Sequence, residues 1–342
     1  MSRYLMILLA AVLAVGLVAC GDDEEDAATS DPGQPGQATQ AAGSDAISVI
    51  ATTSQIGALA QEIGGDQINL LILMPAGVDP HSYEITPDDM RAVGDADLIL
   101  KNGIGLDDFL DDNIEAAGGD ADIVVVTEGI DLVEGGHHED DHDEAEDDHD
   151  HDEEHEEEHD DEHDHGEFDP HVWHDPANAI VMVENIVAAL AAADGGNAAA
   201  YEENGDAYRA VLEETDVEIR AMLDQIPAEH RKLVTTHDAF GYFVHAYDFE
   251  FIGAVVPSVS TDAEPSARDI ADLLELIQDE DVRAIFAEDT VDPRVAEQLA
   301  QDSGVEIVYG LHSDSLGEPG SGEDTIHGML LANATKIAEA LK

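Results

Sequence analysis

The chain has 342 residues, of which 80 are acidic and 12 are basic, and its formal net charge is −68. This charge would repel nucleic acid and anionic lipid surfaces, so we expect no nucleic-acid partner. The part that is expected to fold, residues 46–342, is longer than most single domains, and two domains are therefore predicted.

The N-terminal segment 1–20 predicts a lipoprotein signal. Arg3 is followed by an apolar core of about fifteen residues, which is short for a membrane span and typical of a secretory signal. Its last four residues, Leu-Val-Ala-Cys, resemble a bacterial lipoprotein processing box. Cys20 is the only cysteine, which excludes an intrachain disulfide. We expect an exported protein that is lipid-anchored through Cys20 to the outer face of the cytoplasmic membrane; the alternative is an incidental cysteine in a cleaved signal.

A polar tether precedes the first half of the folded part. Residues 21–45 have no apolar periodicity and are predicted to be disordered.

In the first half of the folded part, short apolar runs alternate with amphipathic segments, which favours a parallel sheet covered by helices. Ser54 is the predicted N-cap of the first helix, and Pro87 is predicted at the first position of the second. The predicted strands are 47–52, 68–74, 97–101 and 123–126, and the predicted helices are 54–63, 86–93 and 106–117.

A tract from 137 to 165 holds nine histidines, nineteen acidic residues and one alanine. Imidazole suits zinc, copper, nickel and iron, whereas carboxylate alone would suit calcium or magnesium. This density of imidazole favours a low-affinity collector of zinc over a solvated acidic linker. The predicted ligands of this tract are His137, His138, His142, His149, His151, His155, His159, His163 and His165.

The second half repeats the alternation after two helical runs, 179–193 and 198–225, with Gly205 as the weak point of the longer run. The predicted fold is α/β, with two parallel-sheet lobes joined by a long rigid helix. The predicted domains are 46–196, the linker helix 197–226, and 227–342. The later predicted strands are 232–236, 249–255, 284–287 and 305–309, and the later predicted helices are 239–246, 266–278, 293–302 and 323–341.

Four polar residues lie where open parallel sheets bind ligands, beyond the carboxyl ends of strands. They are His81, His171, His237 and Asp314, two from each predicted lobe, so the ion would lie in the cleft between the lobes. Three imidazoles and one carboxylate form a four-coordinate set that suits Zn²⁺. Such a set leaves no coordination position for a reactive water, which favours a binding site over a catalytic one.

Metal-bound imidazoles usually donate their other ring nitrogen to an acceptor. The candidate acceptors are Asp79, Asp169 and Glu288. Asp238 is predicted to cap the helix that follows His237. Taken singly, each of the three histidines would more commonly be structural or at the surface.

The surrounding motifs resemble those of the metal-specific solute-binding proteins of bacterial ABC importers. Asp-Pro-His-Ser-Tyr-Glu at 79–84 resembles the first ligand motif of that family and Asp-Pro-His-Val-Trp at 169–173 the second. Thr-Thr-His-Asp-Ala-Phe-Gly-Tyr-Phe at 235–243 resembles the third, and Ser-Asp-Ser-Leu at 313–316 the fourth. Segments 261–266 and 286–289 also match. The resemblance covers roughly 46–342 and implies a monomer that carries Zn²⁺ to a permease and its ATPase, with modest movement on metal capture.

The resemblance also bears on the metal and on the other histidines. Manganese binders of the family typically have glutamate where this chain has His237, which favours zinc. His174 stands at a position that is usually apolar, and we expect it to face solvent rather than to serve as a spare imidazole near the cleft. The histidines assigned to the surface or the core are His230, His245, His312 and His327.

Three alternative functions stay open at this point. One is a manganese or iron receptor of the same importer class, and another is a zinc-dependent hydrolase in which one ligand is free for substrate. The sequence contains no Ser/His/Asp triad motif, His-Glu-x-x-His, phosphate loop or dinucleotide glycine motif to support catalysis. The third alternative is a cell-surface adhesin with an incidental metal site.

The net charge also predicts that stability depends on salt. Like charges repel within a compact chain, and dissolved salt screens that repulsion. The melting temperature should therefore rise between low and molar KCl, and we hypothesise a halophilic or salt-tolerant host. A melting temperature that is unchanged over this range would contradict the hypothesis.

Overall fold

Eight strands in the described residues form two four-stranded parallel sheets. This computed structural model describes residues 46–135 and 168–342, so the predictions for Cys20, the tether and the histidine tract lie outside the described residues. The strands are β1 (Ile47–Thr53), β2 (Ile68–Met74), β3 (Leu98–Lys101), β4 (Asp122–Val125), β5 (Lys232–His237), β6 (Glu250–Val256), β7 (Ala284–Glu288) and β8 (Glu306–Leu311).

The strand order is β2-β1-β3-β4 in the first sheet and β6-β5-β7-β8 in the second. Every strand pair in both sheets is parallel, as the alternation of elements predicts. We call the first sheet with its covering helices the first lobe, and the second sheet with its helices the second lobe. The two-lobed parallel α/β fold is therefore confirmed.

Helices connect the strands and join the lobes. They are α1 (Ser54–Gly64), α2 (Pro87–Gly94), α3 (Asp111–Ala117), α4 (Pro176–Ala193), α5 (Ala198–Leu223), α6 (Gly241–Tyr247), α7 (Ala267–Asp279), α8 (Arg294–Ser303) and α9 (Ile326–Leu341). α5 separates the two sheets along the chain, and the domain boundaries placed at 196 and 226 stay a prediction. One apolar cluster includes Leu100 of the first sheet, Leu212 of α5 and Phe286 of the second sheet, so the lobes share a core beside α5.

The long helix α5 is unbroken at Gly205, the residue expected to weaken it. A Cβ atom added there would lie 2.4 Å from Cγ2 of Val187 on α4, closer than such atoms approach. Glycine therefore allows α4 and α5 to pack closely, and this contact offsets the low helix propensity of glycine. The 26 residues of α5 span about 39 Å at 1.5 Å per residue.

Two predicted caps are wrong, and both errors concern helix starts near the strand ends. The N-cap of α1 is Thr53, whose side chain accepts a hydrogen bond from the Ile56 N–H. The Ser54 side chain instead accepts a hydrogen bond from the Leu316 N–H of the second lobe. α6 begins only at Gly241, and no side chain caps it, so Asp238 does not occupy the N-cap position. Pro87 is confirmed at the first position of α2.

Candidate metal centre

Four segments at the carboxyl ends of strands bring the predicted ligands together. His81 lies in a short 3-10 turn (Pro80–Ser82) after β2, and His171 lies immediately before a second turn (Val172–His174). His237 is the last residue of β5, and Asp314 follows the end of β8. One potential ligand atom from each of these residues lies within 4.8 Å of all the others.

The distances between these atoms suit a small divalent cation. His171 Nε2 lies 3.4 Å from His81 Nε2 and 3.0 Å from Asp314 Oδ1. Asp314 Oδ1 is 3.5 Å from His81 Nε2, and Asp314 Oδ2 is 3.2 Å from His237 Nε2. A tetrahedral zinc site with bonds of about 2.0–2.1 Å has edges of about 3.3 Å. These four spacings of 3.0–3.5 Å match such edges, and the ligand atoms as a set lie within 4.8 Å of one another.

The site is buried, and two of its polar atoms have no hydrogen-bond partner among the described residues. These atoms are His237 Nε2 and Asp314 Oδ1, and His171 is also fully buried. A buried polar atom without a partner costs about 1–3 kcal/mol. A cation bound between the ligands would satisfy both atoms, so the donor set fits a metal ion. The His81 side chain is 8% exposed, which makes it the ligand nearest to solvent.

Asp169 orients His171. Its Oδ1 accepts hydrogen bonds from the ring Nδ1, at 2.7 Å, and from the backbone N–H of the same residue, at 2.9 Å. An ionised carboxylate only accepts, so Nδ1 carries the proton and Nε2 is left free to face the site. The other carboxylate oxygen lies against Gly241, where an added Cβ would approach it to 2.6 Å. Glycine at the start of α6 therefore leaves room for this carboxylate.

Glu288 orients His237 from the end of β7. Its Oε2 bonds the ring Nδ1, while Oε1 accepts from the backbone N–H of Thr236 and of His237, both at 2.9 Å. The Thr236 hydroxyl also donates to Oε1, at 2.8 Å. This carboxylate is 3% exposed and its contacts fix both its own position and the imidazole. The sequence gives no signal for the role of Thr236, because the contact joins residues 52 positions apart.

Asp79 has a different role from the other two carboxylates. Its Oδ1 accepts the backbone N–H of His81, at 3.0 Å, and its Oδ2 accepts the hydroxyl of Thr261 in the second lobe, at 2.7 Å. These contacts hold the turn that carries His81 rather than its ring. The expectation that Asp79 accepts from the ring nitrogen is therefore replaced by a backbone contact that also links the lobes.

The charges in the site shift its pKa values strongly. Burial alone would lower the pKa of His171, but the carboxylates of Asp169 and Asp314 raise it to about 9. Burial opposes a similar shift at His237, whose pKa is raised well above its usual value by Glu288 and Asp314. Burial alone would raise the pKa of Asp314, yet the surrounding imidazoles hold it well below its usual range.

Proton release on metal binding follows from these shifts. An imidazole must be neutral to bind a metal ion through Nε2, so protons and cations compete for the same nitrogens. Because the pKa of His171 is raised to about 9, a second proton is present on Nε2 at neutral pH without metal and is lost as the pH rises through 9, while Nδ1 keeps its proton toward Asp169. Metal affinity should therefore increase from pH 6 to pH 9. Calorimetric titrations in buffers of different ionisation enthalpy would measure the protons released, and an affinity independent of pH over this range would contradict the prediction.

His174 is buried, and the expectation that it faces solvent is wrong. Its ring stacks on Phe240 with centroids 4.4 Å apart, and neither ring nitrogen has a partner among the described residues. Burial, and then the charge of His171, lower the pKa of His174 to about 3, so the ring is neutral. The position behaves as an apolar one because the aromatic packing surrounds the imidazole.

The four remaining histidines of the described residues lie outside the ligand cluster. The His245 side chain is exposed on α6, and His327 contacts the hydroxyl of Tyr208. His230 contacts the carbonyl oxygen of Leu341. His312 is 8% exposed and is held between the carboxylates of two acidic residues, Asp289 and Glu323.

Comparison with known proteins places this chain in a family. Over residues 49–340 the sequence matches the family described as "ZnuA: Zinc-uptake complex component A periplasmic". The chain belongs to this family. The ZnuA family comprises substrate-binding proteins of ABC transporters, so the expectation of a binding protein rather than an enzyme is confirmed, and the zinc-dependent hydrolase is excluded.

Two relatives match this ZnuA-family chain along nearly their whole length. The manganese ABC transporter substrate-binding lipoprotein PsaA of Streptococcus mitis is 32% identical, with 98% of this chain and 97% of that protein covered. The iron ABC transporter substrate-binding lipoprotein MtsA of Streptococcus pyogenes serotype M1 is 31% identical, with 100% and 99% covered.

The structure of the periplasmic zinc-binding protein TroA from Treponema pallidum is also similar to this ZnuA-family chain. The TM-score is 0.73 at 32% identity, and the match covers 86% of this chain and 99% of TroA. The protein is thus a metal-binding component of an ABC importer that works with a permease and an ATPase, outside the cytoplasm at the membrane.

Proposed function

We propose that this protein captures Zn²⁺ outside the cytoplasm and delivers it to an ABC permease for high-affinity zinc import. The observation that carries the proposal is the convergence of three imidazoles and one carboxylate within 4.8 Å. Nitrogen-rich four-coordinate sets suit zinc, whereas manganese favours oxygen ligands. The solved structure of TroA, described as a zinc-binding protein, supports the same metal.

The ligands proposed to hold the ion are His81, His171, His237 and Asp314. Asp169 and Glu288 would fix the orientation of two of these imidazoles and increase their basicity. Copper should bind such a set more tightly than zinc, so selectivity must depend on geometry and on which metal is available. With all four positions occupied by protein atoms, the ion is held as cargo rather than as a reaction centre.

A manganese or iron receptor is the second candidate, and one feature of the site favours it. The two oxygens of Asp314 face different imidazoles, Oδ1 that of His171 and Oδ2 that of His237. If both oxygens bound the ion, the site would be five-coordinate with two oxygen ligands, which is closer to the preference of manganese. PsaA is named for manganese and MtsA for iron.

Three further features complete the proposal. The protein acts as a monomer, and acylation of Cys20 anchors it to the membrane. The histidine tract at 137–165 collects zinc at low affinity and raises the local concentration beside the cleft; the alternative is a sensor of metal sufficiency. Deleting the tract should leave the tight site intact and slow its loading at scarce metal. Loss of stoichiometric tight binding in the deletion variant would contradict the collector role.

Competitive metal titration of the chain without its signal segment tests the metal. Zn²⁺ and Mn²⁺ are each titrated against a chelator of known affinity for that ion. We expect one tight Zn²⁺ per chain and weaker Mn²⁺ binding. Tight Mn²⁺ binding together with weak Zn²⁺ binding would establish the second candidate instead.

A further inference from the structure

The segment that carries Asp314 belongs to the second lobe, where Asn333 of α9 bonds the N–H and the carbonyl oxygen of His312, but the first lobe holds the backbone next to Asp314. The carbonyl oxygen of Ser313 accepts two hydrogen bonds, one from Trp173 Nε1 at 2.9 Å and one from Gln55 Nε2 at 3.2 Å. Both donors precede the linker helix, and they lie 140 and 258 positions away from Ser313. One carbonyl beside the fourth ligand is thus fixed from the opposite side of the cleft.

Two more contacts extend this arrangement along the segment. The Leu316 N–H donates to Ser54 Oγ at 3.1 Å, and the Ser54 hydroxyl in turn donates to Gln55 Oε1 at 3.1 Å. The backbone N–H of Gly77 donates to Ser315 Oγ at 2.6 Å. Residues 313, 315 and 316 are therefore each bonded to the first lobe, on both sides of Asp314.

The contacts made by Ser54, Gln55 and Trp173 are buried, so water does not easily replace them; the contact of Gly77 with Ser315 is only partly buried. Gln55 and Trp173 are fully buried, and Ser54 is 6% exposed. Breaking such a bond leaves a buried donor or acceptor without a partner, which is more unfavourable than losing a hydrogen bond at the surface.

Apart from the proposed ligand His237, the second lobe supports the Asp314 carboxylate only weakly. Its Oδ2 receives hydrogen bonds from Thr290 Oγ1 and Ser313 Oγ, both at 3.4 Å. In contrast, His171 is held by two hydrogen bonds to Asp169, and His237 by a carboxylate, Glu288, that accepts four. The position of the Asp314 carboxylate is therefore set mainly through its backbone.

We propose that Ser54, Gln55 and Trp173 are positioning residues for Asp314. They act on Asp314 through the backbone of residues 313–316, and these bonds exist only while the lobes are in contact. Trp173 also packs edge-on against the His171 ring, with centroids 5.5 Å apart, whereas Ser54 and Gln55 act on the segment alone. Separating the lobes would break these bonds and release the carboxylate, which lowers metal affinity at the moment of delivery. This inference rests on the proposed capture of a metal ion at the same site.

A double-mutant cycle with Zn²⁺ as the probe tests the proposal. Gln55→Met removes the amide donor to the Ser313 carbonyl oxygen and keeps a side chain of similar length in the core. In the otherwise unchanged chain we expect zinc affinity to fall about 3- to 10-fold, the effect of one lost hydrogen bond. In an Asp314→Ala background, where the positioned group is missing, the same substitution should change affinity less than about twofold. An equal loss in both backgrounds, or no loss in the first, would overturn the proposal.

Matched variants separate positioning from general damage to the fold. Tyr242→Phe removes a hydroxyl that donates to the Asp169 carbonyl oxygen at 3.1 Å, beside a different ligand. Its effect on affinity should be the same with and without Asp314. Trp173→Phe removes the other donor to Ser313 and replaces Gln55→Met in the cycle if that variant does not fold. Because the ring of Trp173 also packs against His171, only the difference between the two backgrounds then measures the positioning of Asp314.

The cycle also distinguishes this inference from the choice of metal. If the unchanged chain binds Mn²⁺ tightly and Zn²⁺ weakly, the zinc proposal fails, and the same cycle measured with Mn²⁺ decides the positioning role. If the chain binds neither ion tightly, both proposals fail.

Discussion

Replacing His237 by alanine is expected to weaken zinc binding roughly 100- to 1,000-fold. Structural zinc sites bind with about 10–16 kcal/mol, so one ligand of four carries on average about 2.5–4 kcal/mol. His237 is fully buried, and its Nε2 has no other hydrogen-bond partner among the described residues. A water bound in place of the ring would be a weaker ligand than imidazole.

Competition against a zinc chelator measures this loss, and His245→Ala is the matched control. His245 lies on α6, close to His237 in the chain, but its side chain is exposed. The control variant should bind zinc like the unchanged chain. Zinc affinity that survives His237→Ala, or that falls equally in both variants, would show that the ion binds through a different ligand set.

The order of helices and strands could be predicted from the sequence because each element carries its own pattern. The buried strands are short runs of β-branched and aliphatic residues, and the helices between them have amphipathic spacing. The residues at which the helices begin were less predictable. Thr53 and Ser54 are adjacent and both suit an N-cap, and only the contact of Ser54 Oγ with Leu316 decides between them.

The four predicted ligands lie together in the structure, and each could be recognised from the residues next to it in the sequence. Strand ends, Asp-Pro-His turns and a histidine at the end of β5 are visible in the sequence. His174 shows the limit of such reasoning, since a histidine three positions after a ligand gives no sign of whether it is buried. Its burial depends on Phe240, which lies in another part of the chain.

The positioning residues could not be predicted for the same reason. Trp173 is part of a ligand motif, but its indole N–H donates to the carbonyl oxygen of Ser313, which lies 140 positions later. Gln55 lies at the start of a helix and resembles any polar residue there. Long-range hydrogen bonds of this kind depend on how the two lobes pack together, and the sequence around each residue does not indicate that packing.

Substituting Glu288 by glutamine is expected to weaken zinc binding about 10- to 100-fold, the effect of losing the acceptor behind a metal-bound imidazole. The carboxylate accepts from His237 Nδ1 with one oxygen and from three donors with the other. An amide has one oxygen and one NH₂ group, so it cannot satisfy both sides. If the NH₂ faces the ring, the proton moves to Nε2, which then cannot bind the ion. If the NH₂ faces Thr236, its N–H groups point at three other hydrogen-bond donors, and the end of β7 is displaced.

Glu323→Gln is the matched control for this prediction, because it makes the same chemical change beside an imidazole that is not a proposed ligand. Glu323 bonds the Nε2 of His312, and this contact lies outside the ligand cluster. Both variants lose one carboxylate, so a general effect of charge on zinc affinity would appear in both. We expect the affinity to fall only for Glu288→Gln, measured by chelator competition at one pH and ionic strength. A change of less than about threefold would mean that the orientation of His237 does not depend on Glu288, and that β5 alone holds the ring in place.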